Sequence, residues 1–140
     1  MNESFFARWE PRALSVLRIV SGFLLMQHGL QKVFGLIAPP PRPGVQPFAT
    51  PPFFSTGGIS GWLELVGGFL LILGLFTRPV AFILSGLLAV AYFYAHAPSS
   101  FWPILNRGEL AALYSFVFLY LFFAGGGPWG VDAYLRRGRG

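Results

Sequence analysis

Five ionisable side chains fall in or beside stretches that are otherwise apolar. His28 and Lys32 lie in "LLMQHGLQKVFG", Glu64 lies in "GWLELVGG", and His96 and Glu109 flank the last connection. A carboxylate, a histidine and a lysine gathered in an apolar interior can bind a polar group and exchange protons with it. Whether they gather depends on the elements that carry them.

The 140 residues are 54% hydrophobic and only 11% charged, with a mean hydropathy of +0.61. Soluble domains carry about 25% charged residues, so the composition predicts a membrane protein. The length suits four spans of roughly 20 residues each in one domain covering 1–140. The expected fold is an all-α, integral-membrane four-helix bundle. Its spans are read at 12–37, 59–76, 79–97 and 107–124, with a short amphipathic tail at 128–137. Pro11 can open the first helix, where its missing N–H costs nothing. Seven of the twelve prolines lie in 39–52, so a long proline-rich loop must join the first two helices. Thr77 reads as the N-cap of the third helix and Pro98 as its stop; "GGGPWG" ends the fourth. A cleavable signal peptide is not expected, because the first apolar run is long and lacks a small-residue cleavage site.

An even number of spans places both termini on one side. That side would carry Arg8, Arg12, Arg78, Arg136, Arg137 and Arg139, with Arg18 just inside; the other would carry Lys32, Arg42 and Arg107. The excess predicts cytoplasmic termini in a bacterial inner membrane, with the proline-rich loop outside. The basic charge is then an orientation signal, and nucleic acid is not an expected partner. With no Cys, thiol chemistry, disulfides and iron–sulfur clusters are excluded within this chain.

Residues three, four or seven apart share a helix face. Arg18, Gly22, Leu25, Gly29 and Lys32 make one stripe in the first helix; Gly57, Gly61, Glu64 and Gly68 make one in the second. A charge at mid-membrane is costly, so both stripes should face inward. Phe82, Gly86, Ala89, Phe93 and His96 make a stripe in the third helix. Glu109, Leu113, Phe116, Tyr120 and Phe123 make one in the fourth. Read together, the four helices deliver Lys32, Glu64, His96 and Glu109 to one outer layer, with His28 about one turn deeper. Each has a plainer reading. Lys32 can snorkel, Glu109 can complement a helix dipole, His96 can sit at the interface, and the whole set can be a structural ion-pair network. Arg18, Arg78 and Asp132 form a separate structural cluster on the cytoplasmic side. Gly57-x-x-x-Gly61 can serve packing within the bundle or between copies, so a homo-oligomer stays open.

The stretches "LRIVSGFLLMQHGLQKVFG", "GWLELVGGFLLILGLFTRP" and "NRGELAALYSFVFLYLFFAGGGPWGVD" together resemble the DoxX family of small four-helix bacterial inner-membrane proteins. The match runs through Arg18, Gly22, Gly29 and Lys32, the Glu64-led second helix, the Gly74 to Arg78 turn, Asn106-Gly108-Glu109, and Gly127 to Asp132. It adds Asn106 to the pocket candidates. The resemblance implies association with redox assemblies, among them a thiosulfate:quinone oxidoreductase and a complex with superoxide dismutase and a sulfurtransferase. Soluble or membrane redox proteins are thus the expected partners beside the lipid bilayer.

Two functions compete. A quinone-handling or redox-accessory subunit needs an apolar slot for the tail and polar groups at the ring, which His28, Lys32, Glu64 and Glu109 could supply; quinone is the one cofactor considered. A non-enzymatic scaffold, or a small transporter for an apolar or anionic compound, would use the same cluster as an ion-pair network or polar constriction. A bis-histidine haem would require His28 and His96 to face across one gap. A metal at His28, Glu64 and Glu109 is disfavoured by Lys32, which would repel a cation. No self-contained catalytic motif is visible, so any enzymatic role is at most that of a subunit.

Overall fold

The computed structural model describes residues 3–138, so Arg139 lies outside the described residues. The regular structure among those residues is all helix, without strands. The chain forms α1 (Glu3–Phe34), α2 (Thr56–Leu73), α3 (Thr77–Ala91, continued by a π-helical turn at Tyr92–His96), α4 (Pro103–Asn106), α5 (Glu109–Ala124) and α6 (Val131–Arg137). Three of these, α1, α2 and α3 with its extension, are long and apolar enough to cross a membrane; α5 is apolar but shorter.

α1 does not begin at Pro11 but runs back to Glu3, with Pro11 inside it. There the proline gives up one helical hydrogen bond and crowds the Ala7 carbonyl. The added turns are steadied by Trp9, over whose ring Arg12 stands at 5.0 Å, and by the Ser15 hydroxyl, which donates to the Pro11 carbonyl at 3.2 Å. α2 starts at Ser55, whose Oγ accepts from the Gly58 amide at 3.0 Å, a standard N-cap. It stops at Gly74, whose φ of 66° is left-handed. Phe76, also left-handed at φ 51°, occupies the N-cap position of α3 in place of Thr77, which is the first helical residue.

α1 and α2 pack backbone to backbone. A Cβ on Gly29 would stand 2.4 Å from the Leu65 amide nitrogen, and one on Gly22 would stand 2.9 Å from the Gly68 carbonyl oxygen. The glycines therefore work within the chain, as small residues do between membrane helices. α3 and α5 pair through a reciprocal link: the Ser85 hydroxyl donates to the Ser115 carbonyl at 2.8 Å, and Ser115 returns the bond at 3.0 Å. α1 meets α5 far less closely than either helix meets its own neighbour. The core is Leu25, Leu71, Ala81, Leu84, Leu88, Ala111, Tyr114, Phe118 and Leu121.

The stripes of α1 and α2 are buried as expected from the sequence, and those of α3 and α5 are not. Phe82, Phe93, Leu113, Phe116, Tyr120 and Phe123 are exposed, and nothing lies within 4 Å of a Cβ built on Gly86. The inward faces are instead Thr77, Ala81, Leu84, Ser85 and Leu88 on α3, and Ala111, Tyr114, Phe118 and Leu121 on α5.

Candidate functional site

Polar side chains collect at the two ends of the core. At the α6 end, Arg18 is fully buried and spends its guanidinium on backbone carbonyls. Nε donates to Gly126 at 2.8 Å, Nη1 to Ile72 at 2.9 Å and also to Leu71, and Nη2 to Trp129. Leu71 and Ile72 belong to the last turn of α2, whose carbonyls have no helical partners. Arg78 serves α5 likewise, donating to Phe122 and Phe123 at 2.8 and 2.6 Å. Asp132 caps α3: its two oxygens accept from the Phe76 and Thr77 amides at 2.9 and 2.8 Å. Desolvation works against ionising Asp132, but the Thr77 and Phe76 amides outweigh it and hold the carboxyl below its ordinary value. The expected Arg18, Arg78 and Asp132 cluster therefore exists as three helix caps, without a salt bridge between Arg18 and Asp132. Fixed carbonyls suit a planar five-donor group better than a single carboxylate would.

At the opposite end, Lys32 Nζ lies 2.7 Å from Glu64 Oε1 and 3.3 Å from the Ser60 hydroxyl. It is the one ion pair between side chains among the described residues. Close approach of the two helices sets it up, since a Cβ on Gly61 would stand 2.7 Å from the Lys32 Cβ. The Glu64 side chain is only 5% exposed, and its Oε2 is buried without a hydrogen-bond partner. A buried carboxylate normally fills its acceptor sites, which sets this oxygen apart from its partner.

Glu64 faces a cavity of about 320 Å³ lined by Leu25, His28, Lys32, Leu88, His96 and Tyr114, with Arg107 at its edge. His96 is aimed by its loop: Nδ1 sits 3.0 Å from the Asn106 carbonyl. Asn106 itself is a buried staple. Its Nδ2 donates to the Ser100 carbonyl at 2.9 Å and its Oδ1 accepts from the Gly108 amide at 2.7 Å. The π-turn at Tyr92–His96 carries His96 into this loop; such turns often mark functional sites.

Of the six pocket candidates, Lys32, Glu64, His28 and His96 line this one cavity. Asn106 shapes its wall from behind. Glu109 is exposed on the outer side of α5 and does not line it; because Arg107 adopts a left-handed conformation at φ 58°, the chain turns there and α5 starts with Glu109 outward. Arg107 takes the place expected for Glu109. Tyr114 was also missed, being one aromatic ring among many in an apolar helix. With Lys32 and Arg107 against Glu64, the lining has more cationic than anionic groups. No group of three or more His, Asp or Glu side chains among the described residues could hold a metal ion.

Between the two ends, Leu25, Leu71, Leu84, Phe118 and Leu121 pack without exposure, so the cavity does not continue through the core. On the far side, Pro51 and Pro52 fold over Gly57 and Gly58, and a Cβ on Gly58 would stand 2.1 Å from the Pro52 carbonyl oxygen. Phe53 and Phe34 flank Trp62, with ring centroids 6.2 and 6.0 Å away. The proline-rich loop is thereby anchored to the start of α2.

The pattern that defines the DoxX family matches residues 13–97. An uncharacterized protein of Haemophilus influenzae is 42% identical over 138 residues, an overlap that spans 89% of this chain and 92% of the relative. No solved structure matches the chain.

Proposed function

This chain belongs to the DoxX family of membrane proteins, and from that premise we propose that it is a quinone-handling, redox-accessory subunit whose ring-binding site is the cavity at Glu64. One observation carries the reading: a buried carboxylate in the wall of a cavity, with one oxygen paired to Lys32 and the other without a protein partner. The residues fit a quinone ring. Lys32 can donate to a ring carbonyl, Glu64 Oε2 can accept from a ring hydroxyl, and Leu25, Leu88 and Tyr114 supply apolar walls. A bound quinone would supply the electron-accepting chemistry, its electrons coming from a partner redox protein. The chain's own residues would orient the ring, exclude water and move protons, with His28 and His96 on the cavity wall as carriers.

In this reading α1, α2, α3 and α5 are four spans of the bacterial inner membrane, with α5 reaching across by way of α4 and the loop before it. Arg8, Arg12, Arg78, Arg136 and Arg137 favour a cytoplasmic location for the α6 end. The cavity then lies in the outer half of the bilayer. Transport through the bundle is the weaker reading, because it needs a path through the packed layer at Leu71 and Phe118.

The test is to purify the wild type and Glu64→Gln in mild detergent and identify extracted small molecules by mass spectrometry. The proposal expects quinone retained at near one-to-one ratio by the wild type and lost from the variant. Equal quinone content in both, or none in either after reconstitution with quinone, contradicts it.

A further inference from the structure

A second hollow, of about 300 Å³, lies along the loose seam between α1 and α5. Leu24, Gln27, His28, Gln31, Ile37, Leu110 and Tyr114 line it. His28, Leu110 and Tyr114 also line the Glu64 cavity, so the two spaces share a wall, and His28 stands between them. His28 is exposed on the seam, and neither its side chain nor that of Gln27 makes a hydrogen bond among the described residues. Unsatisfied polar side chains on the outside of an apolar helix are costly in hydrocarbon, and the ordinary remedy of pairing within the bundle is not used here.

The groove is also graded. Gln31 and Ile37 lie toward the proline-rich loop, whereas Leu24 lies about 10 Å deeper along α1, at 1.5 Å per residue. Gln27, His28 and Gln31 sit toward the level of the Glu64 cavity, and Leu24 marks the deeper, apolar end on α1. An amphiphile with a hydrogen-bonding ring and a long apolar tail has the same grading.

We infer that the α1–α5 groove is the side entrance and tail-binding site of the Glu64 cavity, through which a prenylated quinone-type amphiphile enters from the bilayer, its ring passing His28 and its tail remaining against Leu24. This rests on the quinone reading and adds the route and the tail. Entry from the lipid avoids the core, which is packed at Leu71 and Phe118. Gln27 and His28 would hydrogen-bond the ring oxygens in passage.

Binding of two probes to the protein in phospholipid nanodiscs tests it: an isoprenoid ubiquinone, and the same dimethoxybenzoquinone ring without a tail. Leu24→Trp fills the groove without touching the Glu64 cavity; Phe23→Trp, on the exposed neighbouring position, is the control for added bulk. The expected result is that the wild type binds the tailed quinone more tightly than the bare ring. Leu24→Trp should then lose about tenfold or more in affinity for the tailed quinone, while its affinity for the bare ring and both affinities of Phe23→Trp stay unchanged. Equal losses for both probes, no loss for either, or equal wild-type affinity for both overturns the groove and leaves the cavity standing. Failure of the wild type to bind either probe overturns the quinone reading and the entrance with it.

Discussion

Lys32 Nζ stands 2.7 Å from Glu64 Oε1, while Glu64 Oε2, in the same buried carboxylate, has no partner at all. One oxygen is satisfied by a neighbouring helix and the other is not. A purely structural ion pair would be expected to fill both oxygens, because an unmet buried acceptor costs about 1–3 kcal/mol. The pair therefore separates two effects that mutation can measure independently, stability and ligand binding.

Lys32→Met should destabilise the fold by about 3–5 kcal/mol, because it leaves Glu64 buried without its cation. Lys32→Met with Glu64→Leu should recover most of that loss. Thermal melting in detergent reads both. A double variant no more stable than Lys32→Met would mean that the stability of this end does not depend on pairing the charge.

Two glycine substitutions should act in opposite directions. Gly29→Ala places a Cβ 2.4 Å from the Leu65 amide nitrogen, forcing α1 and α2 apart at a cost of about 1–3 kcal/mol. Gly86→Ala meets nothing within 4 Å and should be neutral or stabilise by about 0.4–1 kcal/mol through backbone entropy. Melting temperatures of the two variants should straddle that of the wild type.

Arg18→Lys should not substitute for arginine. One ammonium cannot reach Leu71, Ile72, Gly126 and Trp129 together, as the guanidinium does, and the stranded carbonyls should cost about 3 kcal/mol or more. Limited proteolysis should then cut within 125–130, where the wild type resists.

The Asp132 cap should make the α6 end sensitive to acid. Its folded-state pKa lies below the ordinary 3.8, so the stability it contributes is fully present above that value and is lost as the pH falls through it toward the folded-state pKa. Asp132→Asn, which loses the charge and one of the two acceptor oxygens, should be less stable at neutral pH by about 1–3 kcal/mol, with the difference shrinking below about pH 4. Melting curves of the two proteins at stepped pH check the convergence.

How much could be read in advance differs from helix to helix. In α1 and α2 the glycines and the charges fall on one stripe, and both mark the inward face, so Arg18, Gly29, Lys32 and Glu64 could be placed from spacing alone. α3 and α5 are apolar all round, and a face turned to lipid is as greasy as one turned to the core. Hydrophobicity has nothing to separate there, and spacing alone does not tell that Phe82, Phe116 and Phe123 face outward. The better marker was the small and hydroxyl-bearing residues: Ala81, Ser85, Ala111 and Ser115 lie where the two helices touch. Glu109 was misplaced for a different reason. The left-handed turn at Arg107 decides which way the first residue of α5 points. The capping role of Asp132 was hidden because it bridges segments 55 residues apart, beyond any local signal.

The claim on which the rest depends is that Glu64 offers its free oxygen to a quinone ring. The most direct measurement is the dissociation constant of a ubiquinol, whose ring hydroxyl can donate to the carboxylate, for purified wild type and Glu64→Gln, titrated under reducing conditions in the same lipid nanodiscs and accompanied by melting curves to show that both are folded. Losing a charge-assisted hydrogen bond should weaken binding by roughly 10- to 100-fold in a variant that still melts cooperatively. Unchanged affinity in a folded Glu64→Gln would contradict the account.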